Sequence, residues 1–191
     1  MRIHYQIQES PVGDLFTAEL EGDPVAIWFR RDTTLIDFLH DVGWTYPEAE
    51  LKEGGCSGIR EWLKGYFAGR PPQRRFPRYL RGTPFQIDVW REIARIPFGA
   101  TRTYGEIAQR LGTRGGSRAV GGATGKNPVS ILIPCHRVIG TRGQLTGFGG
   151  GLPAKIWLLR HEGCRIPGGS VHPLRQNAGF PAVQRRLSLR T

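Results

Sequence analysis

A short apolar run that ends at a proline constrains the fold of this chain more than any other stretch. The run is Val129-Ser130-Ile131-Leu132-Ile133, and Pro134 follows it directly. β-Branched residues favour a strand, and a proline cannot donate the next ladder hydrogen bond, so the strand should end there. The next three residues are Cys135, His136 and Arg137. We therefore expect a strand that carries a thiol, an imidazole and a guanidinium at its end.

The neighbours of this thiol favour a nucleophile. An imidazole and a guanidinium beside a thiol lower the thiol pKa, and the thiolate is the reactive form. The alternative is a buried structural cysteine, which is a common fate of a free Cys. These residues by themselves leave both interpretations open.

Composition excludes several classes of protein. The hydrophobic content of 39% and the charged content of 23% are ordinary for a globular protein. We find no apolar run of membrane-spanning length and no signal-peptide core at the N-terminus. Cys56, Cys135 and Cys164 lie far apart with no CxxC pair, so metal and disulfide frameworks are poorly supported. An unpaired thiol fits a reducing, intracellular setting.

Charge is distributed unevenly along the 191 residues. Residues 1–77 contain 9 Lys and Arg against 12 Asp and Glu, and residues 78–164 contain 13 against 4. Residues 165–191 add 5 arginines and no acid. A basic part beside an acidic part indicates that the C-terminal segment faces a polyanion, although charge for solubility is the alternative. We accordingly predict an N-terminal domain and linker at 1–77, a second domain at 78–164, and a basic tail at 165–191 with little packed structure.

The N-terminal segment has the pattern of an α+β unit. We expect strands at 3–8, 14–20 and 25–29, a helix capped by Asp32, and a second helix that starts at Ser57. The acids between residues 48 and 53 favour a solvated face. We expect no chemistry in this unit, and we place the linker at 69–77, which is rich in Pro and Arg.

The C-terminal segment has the pattern of a helical domain. Thr83-Pro84 should open one helix, and Thr103 with Glu106 forms a capping box for the next. Ser117 should cap a third, which completes a helix-turn-helix outline. We expect a last helix from Pro153 to Gly163. Glu162 in its final turn opposes the helix dipole, so it needs an outside partner, and His136 is the candidate.

Two glycines inside the helix after Ser117 also need an explanation. Gly121 and Gly122 each cost about 1 kcal/mol relative to Ala in a helix. They make a slim helix whose backbone could approach a narrow DNA groove. The alternative is close packing against the Cys135 strand.

The Cys135 segment resembles the active-site motif of the O6-alkylguanine-DNA alkyltransferases. The matching motifs occur in the family's order and are Arg81-Gly82-Thr83-Pro84-Phe85, Thr103-Tyr104-Gly105, Arg118-Ala119-Val120-Gly121-Gly122, Ile133-Pro134-Cys135-His136-Arg137-Val138 and His161-Glu162-Gly163. The resemblance implies an α+β protein with a small N-terminal α/β domain of the ribonuclease-H-like type. A mostly helical domain at 78–164 would follow, with the helix-turn-helix and the active-site cysteine.

The resemblance also implies a role for each matching residue. Cys135 would take the alkyl group from O6 of a flipped guanine, His136 would deprotonate the thiol through a water, and Glu162 would orient the imidazole. Asn127 would hold the active-site turn. Tyr104 would also be catalytic, because its hydroxyl would meet the flipped guanine and help neutralise it as the leaving group. The implied DNA-binding residues are Arg118, Ala119, Gly121 and again Tyr104. The implied substrate pocket consists of Val138, Phe148, Gly149 and Ser130.

Further expectations follow from the same resemblance. The protein would act once, as a monomer on double-stranded DNA, without a cofactor, metal or membrane. It would be cytoplasmic, or nuclear in a eukaryote. Phe148, Gly149 and Ser130 stand where some family members have Tyr, Ser and Pro, so the preferred alkyl size stays open, as does activity on O4-alkylthymine.

Two other functions compete with this interpretation. The first is a lesion-binding protein that recruits other repair without chemistry, although relatives of that kind replace the cysteine. The second is a cysteine hydrolase built on Cys135 and His136, but neighbouring residues on an extended chain point to opposite faces.

Overall fold

The computed structural model describes residues 1–70, 76–113, 115–166 and 170–171. The strands in these ranges are β1 (Arg2–Gln8), β2 (Leu15–Leu20), β3 (Asp23–Phe29), β4 (Glu50–Glu53), β5 (Arg102–Thr103) and β6 (Val138–Ile139). The helices in these ranges are α1 (Leu35–Thr45), α2 (Ser57–Phe67), α3 (Pro84–Ala94), α4 (Tyr104–Arg110), α5 (Ser117–Gly125) and α6 (Gly151–His161). The predicted α+β class is confirmed. None of the described helices is long and apolar enough to cross a membrane.

The N-terminal strands form a four-stranded sheet in the order β3-β2-β1-β4. β1 pairs antiparallel with β2 and parallel with β4. The three predicted strands are confirmed to within two residues. β4 was not predicted, because Glu50, Lys52 and Glu53 are exposed on an edge strand, and charged edge strands lack the apolar alternation that identifies a strand.

Capping decides where the first two helices begin. The N-cap of α1 is Thr34 and not Asp32, because Thr34 and Asp37 form a reciprocal capping box that Asp32 is too early to form. α2 starts at Ser57 as predicted. Its first turn is capped from a distance, since the buried Glu19 carboxylate of β2 accepts the amide N–H of Ile59.

The C-terminal helices follow their local signals closely. Capping boxes at Thr83 and Thr103 start α3 and α4 as predicted. α5 differs, because Gly116 is its N-cap and Ser117 is its first residue, with no side-chain cap. The helix-turn-helix is formed by α4 and α5, and the Trp90 indole of α3 braces it by donating to the Ala123 carbonyl at 2.8 Å.

Two details of α3 and α6 differ from the prediction. The apolar pattern of α3 places Ala94 next to Ile93 on the buried side, but Ala94 is exposed, whereas Glu92 is buried and accepts hydrogen bonds from Arg95 and from Arg110. The apolar periodicity of α3 does not reveal this ion pair, because Glu92 belongs to α3 and its partner Arg110 belongs to α4. α6 begins at Gly151, two residues before Pro153.

The predicted strand before Cys135 is wrong. Val129 makes only an isolated bridge to Ile27, and Ile131 has a φ of +71° that turns the run back on itself. The Asn127 side chain closes this loop by donating to the Ile133 carbonyl at 2.8 Å and accepting the Val129 N–H at 3.0 Å. Two tertiary backbone hydrogen bonds also hold the run, from the Ile27 N–H to the Pro128 carbonyl and from the Ser130 N–H to the Ile27 carbonyl. Together these local and tertiary bonds override the strand propensity of the β-branched residues. Cys135 therefore lies in a 3₁₀ turn, Cys135–Arg137.

One apolar core joins the two halves of the described chain. Its fully buried members include Ile27 and Tyr66 from the N-terminal segment and Trp90, Ile133 and Leu158 from the C-terminal one. This continuity brings α2 against the Cys135 turn. The boundary at residue 77 stays a prediction, and residues 71–75 of the predicted linker lie outside the described residues.

The start of the predicted tail is packed. Val171 is buried, and its N–H donates to the Gly143 carbonyl at 2.9 Å, while Ser170 bridges to Gln144. Residues 172–191 lie outside the described residues.

Candidate active site

Cys135 lies in a cleft between the helix-turn-helix and the loop that precedes α6. The cleft encloses about 590 Å³, a volume typical of small-ligand sites. Six of the other predicted site residues line it together with Cys135, and they are Tyr104, Gly121, Asn127, Ser130, Phe148 and Gly149. Folding thus brings together residues that are up to 45 positions apart in the sequence.

The Cys135 sulfur is buried, and its polar neighbours favour a thiolate. The Asn127 side-chain amide donates to Sγ at 3.2 Å. Burial raises the pKa of the Cys135 thiol, and Asn127, the Lys155 ammonium and the Ser130 hydroxyl act in the opposite direction. The thiol is therefore protonated at rest, and the donors that would hold a thiolate are already in place.

The sequence pattern suggested Arg137 as the cation near the thiol. In the structure, the cation that acts on the thiol is Lys155. Lys155 is fully buried in α6, and its Nζ donates to the Val138 carbonyl at 2.7 Å and the Thr146 carbonyl at 3.4 Å. Burial lowers the pKa of Lys155 to about 8, although Cys135 opposes this shift. The sequence feature that could have identified Lys155 is its position between Ala154 and Leu158 on the apolar side of α6.

Glu162 is the most densely hydrogen-bonded side chain of the site. It accepts from His136 Nε2 at 2.8 Å, which confirms the predicted partner. It also accepts two bonds from Arg137, each at 2.8 Å, and one from the Gly99 N–H at 3.2 Å. Burial opposes ionisation of Glu162, but His136 and Arg137 hold its pKa well below the usual range. Glu162 is therefore an ionised carboxylate in the protein interior.

The Glu162 carboxylate determines which ring nitrogen of His136 carries the proton. An ionised carboxylate only accepts, so the Nε2 nitrogen carries the proton. Burial lowers the pKa of His136, and Arg137 and Lys155 lower it further, against the effect of Glu162. The ring is therefore neutral. Its Nδ1 is the one buried side-chain nitrogen or oxygen of the described residues without a hydrogen-bond partner, which leaves a free lone pair that can accept a proton.

The N-terminal unit, in which we expected no chemistry, contributes one buried side chain to the hydrogen bonds of the site. Tyr66 of α2 is fully buried, and its hydroxyl donates to Glu162 Oε1 at 2.7 Å. Tyr66 belongs to the apolar side of an amphipathic helix, so the sequence identified it only as a core residue. A buried tyrosine hydroxyl nevertheless needs a hydrogen-bond partner. That requirement was the only feature of the sequence that could have pointed to a polar role for Tyr66.

The helix-turn-helix presents two different faces. The Tyr104 hydroxyl points into the cleft and shares a hydrogen bond of 2.9 Å with the Thr146 hydroxyl. Gly121 faces the Tyr104 ring, where an added Cβ would lie 3.8 Å from the nearest ring atoms. Arg118, Ala119 and Gly122 are exposed on α5. An added Cβ at Gly122 would meet nothing within 4 Å, so close packing against the Cys135 segment does not explain that glycine.

The remaining pocket residues differ in accessibility. Phe148 packs edge-on against Phe29, with ring centroids 5.2 Å apart, and Gly149 is exposed. Val138 is fully buried and does not line the cleft, and its carbonyl accepts from Lys155. No group of three or more His, Cys, Asp or Glu side chains within the described ranges is arranged to hold a metal ion.

Comparison with known proteins gives one consistent result. Residues 84–164 match the family model described as 6-O-methylguanine DNA methyltransferase, DNA binding domain. A methylated-DNA–protein-cysteine methyltransferase of Mycobacterium tuberculosis is 42% identical over 165 residues, which cover 86% of this chain and 95% of that protein. The crystal structure of the M. tuberculosis O6-methylguanine methyltransferase matches with a TM-score of 0.71 at 40% identity, over 84% of this chain and 92% of that one. M. tuberculosis OGT in complex with DNA matches with a TM-score of 0.71 at 40% identity, over 83% and 92% of the two chains.

Proposed function

Because this chain belongs to the methylated-DNA–protein-cysteine methyltransferase family, we propose that it repairs DNA by transferring an alkyl group from O6 of guanine to Cys135. The observation that carries the proposal is the arrangement around the thiol. A buried Cys135 with donors for a thiolate lies beside a neutral His136 held by Glu162, and both are next to a helix-turn-helix. The reaction occurs in duplex DNA, once per molecule, and needs no cofactor.

The chemistry follows from the hydrogen bonds of the site. The Cys135 sulfur is bonded to Asn127 and has no hydrogen bond to His136 among the described residues, so its proton reaches Nδ1 through an intervening water. The thiolate then attacks the alkyl carbon. A sulfur–carbon bond forms, the bond from carbon to O6 breaks, and the electron pair stays on the guanine, which takes a proton from the Tyr104 hydroxyl. The proton that His136 took from the thiol then returns through water to the Tyr104 oxygen, so the site ends neutral. Because the product is a thioether, water cannot release the sulfur, and each molecule acts once.

The DNA side of the proposal rests on exposure and charge. A buried thiol cannot reach O6 inside a stacked duplex, so the damaged base must leave the stack. Arg118 and Ala119 on the exposed face of α5 contact the minor groove, and Arg118 fills the space that the base vacates. The N–H of Gly149 and the Cys135 carbonyl, from residues that line the cleft, bind the base. Val138 is fully buried outside the cleft lining and its carbonyl accepts from Lys155, so we assign it no direct contact with the base.

Intact-protein mass spectrometry tests the proposed function directly. The protein is incubated with duplex DNA that contains one O6-methylguanine, and the same duplex with unmodified guanine is the control. We expect a stoichiometric gain of one CH₂ with the damaged duplex only, mapped by peptide analysis to Cys135. If binding to the damaged duplex is retained without any gain of mass, the protein is a non-catalytic lesion-binding protein and the proposal is wrong. Turnover of a thiol ester would instead indicate a cysteine hydrolase.

A Gly122→Leu variant tests whether α5 approaches the DNA. Leu is more favourable than Gly inside a helix by about 0.8 kcal/mol, and apart from the backbone of α5 itself no atom of the described residues lies within 4 Å of the new Cβ. The variant should be at least as stable as the wild type in urea, yet bind duplex DNA at least about tenfold more weakly, because each 1.4 kcal/mol of lost contact is a factor of ten.

The matched control for this variant is Gly43→Leu, because Gly43 is also inside a helix, α1, does not line the Cys135 cleft, and an added Cβ there would make only an ordinary contact, 3.9 Å from Leu51 Cδ1. Fluorescence anisotropy with a labelled duplex measures both affinities. Equal affinity of Gly122→Leu and the wild type would contradict a role of α5 in the groove.

A further inference from the structure

We propose that Tyr66 is a positioning residue for His136, and that it acts from the N-terminal segment through the Glu162 carboxylate. Tyr66 lies outside residues 84–164, the part of the chain that matches the DNA-binding family model. The proposal rests on the proposed function of His136 as the base that deprotonates Cys135. Under this proposal, α2 supplies a side chain to the hydrogen-bond network of the reaction centre in addition to packing against it.

Three donors converge on one oxygen of Glu162. The Oε1 atom accepts from the Tyr66 hydroxyl at 2.7 Å, from His136 Nε2 at 2.8 Å and from an Arg137 nitrogen at 2.8 Å. The Tyr66 oxygen also lies 3.5 Å from His136 Nε2. Tyr66 and His136 therefore share the negative charge on the same atom, and a change in one bond alters the strength of the other.

The Tyr66 hydroxyl is held in place from several sides. Its ring stacks on Trp62 with centroids 5.5 Å apart, and Phe67 and Phe98 pack edge-on against it. The Tyr66 backbone carbonyl accepts from His161 Nε2 at 2.8 Å, which ties the end of α2 to the end of α6. Burial, reinforced by Glu162, raises the pKa of Tyr66 far above its usual range, so the phenol stays a donor.

A packing role alone does not explain the hydroxyl. A phenylalanine would fill the same space, and a buried hydroxyl is costly unless it is paired. The charged and titratable groups around His136 are Glu162, Arg137, Lys155, Cys135 and Tyr66. Among the donors to Glu162 Oε1, Arg137 is charged and His136 becomes charged when it takes the thiol proton, whereas the Tyr66 hydroxyl stays neutral throughout. By binding part of the negative charge, it weakens the attraction of Glu162 for a proton on the imidazole, and it thus keeps the imidazole in the basic form.

The test is the pH dependence of alkyl transfer in a Tyr66→Phe variant. Without the hydroxyl, Glu162 holds the imidazolium more strongly, so protonation of His136 should disable the variant at a higher pH. We expect the midpoint of the acid limb of the single-turnover rate profile to move up by about one pH unit. At pH values below that midpoint, the rate of the variant should then be about tenfold lower than that of the wild type. Rates are measured with duplex DNA that contains O6-methylguanine.

Tyr46→Phe is the matched control. Tyr46 is also buried, and its hydroxyl donates to the Tyr79 carbonyl at 2.7 Å, so the same atom is removed from a hydrogen bond of the same length. This control should lose comparable stability and keep the wild-type profile. A Tyr66→Phe profile that superimposes on the wild type, or that is lowered equally at every pH, would show that Tyr66 only packs.

A second measurement separates this proposal from the proposed function. The ring ¹⁵N resonances of His136 report its protonation whether or not alkyl transfer occurs. If the wild type gains no mass from the damaged duplex, the proposed function fails, and the resonances still decide the role of Tyr66. A higher titration midpoint in Tyr66→Phe, absent from Tyr46→Phe, supports the coupling to His136, and unchanged resonances in both variants overturn it.

Discussion

The Cys135→Ala variant should gain no mass from duplex DNA that contains O6-methylguanine, while it keeps its affinity for that duplex. The loss is complete because the sulfur is the atom that forms the new bond. The other groups of the site, including Asn127, Lys155 and His136, donate or accept hydrogen bonds but are not positioned as alternative nucleophiles. Mass spectrometry measures the transfer, and anisotropy measures the affinity.

The fold should tolerate this substitution well. Removing one buried sulfur costs about 1 kcal/mol, and the backbone bonds of the 3₁₀ turn do not involve the side chain. Cys56→Ala is the matched control, because Cys56 is also a free, buried cysteine and the same atom is removed. It should transfer the alkyl group stoichiometrically. Transfer by Cys135→Ala, or its absence in Cys56→Ala at equal stability, would contradict the assignment of the nucleophile.

The Glu162→Gln variant should lose about 3–5 kcal/mol of unfolding free energy, which is the usual cost of removing one partner of a buried ion pair. Glutamine has nearly the same shape, but it leaves the Arg137 guanidinium buried without a counter-charge. It also removes the charge that orients His136, so alkyl transfer should slow at the same time. Urea denaturation at pH 7 measures the loss of stability.

The matched control is Asp88→Asn, which removes the carboxylate of an exposed pair with Arg91 on α3. Exposed pairs of this kind contribute about 0–1 kcal/mol, so this variant should be nearly as stable as the wild type. A loss of less than about 1 kcal/mol in Glu162→Gln would mean that the buried pair does not stabilise the site.

The difference in stability between the wild type and Glu162→Gln should depend on pH. The pKa of Glu162 is lower in the folded than in the unfolded protein, so ionisation stabilises the fold above the unfolded value of about 4.3. This contribution is lost as the pH falls through and below that value, because protons then bind the unfolded state first. The gap between the two proteins should therefore be widest above about pH 5 and narrow in acid, as urea titrations at several pH values will measure.

Local signals predicted the helical part of the chain well. The capping boxes at Thr83 and Thr103 involve residues three positions apart, and both are present in the structure. The start of α1 shows the limit of such signals, because Asp32 and Thr34 are both plausible caps and only Thr34 has an acid in the reciprocal position. The edge strand β4 gave no apolar signal at all.

The sequence by itself determined the α+β class and the helix-turn-helix, and it predicted Cys135, His136 and Glu162 as the reactive set, because short spacings and family motifs carry that information. Only the tertiary structure decided how these groups are connected. It turned the expected strand into a loop closed by Asn127 and paired Arg137 with Glu162. It also buried Lys155 against the Val138 carbonyl, where its charge acts to lower the pKa of Cys135, and placed the Tyr66 hydroxyl on the carboxylate. The physical reason is that a buried charge or hydroxyl takes whichever partner the fold brings within about 3 Å, and residues 66 and 162 are neighbours only after the chain has folded.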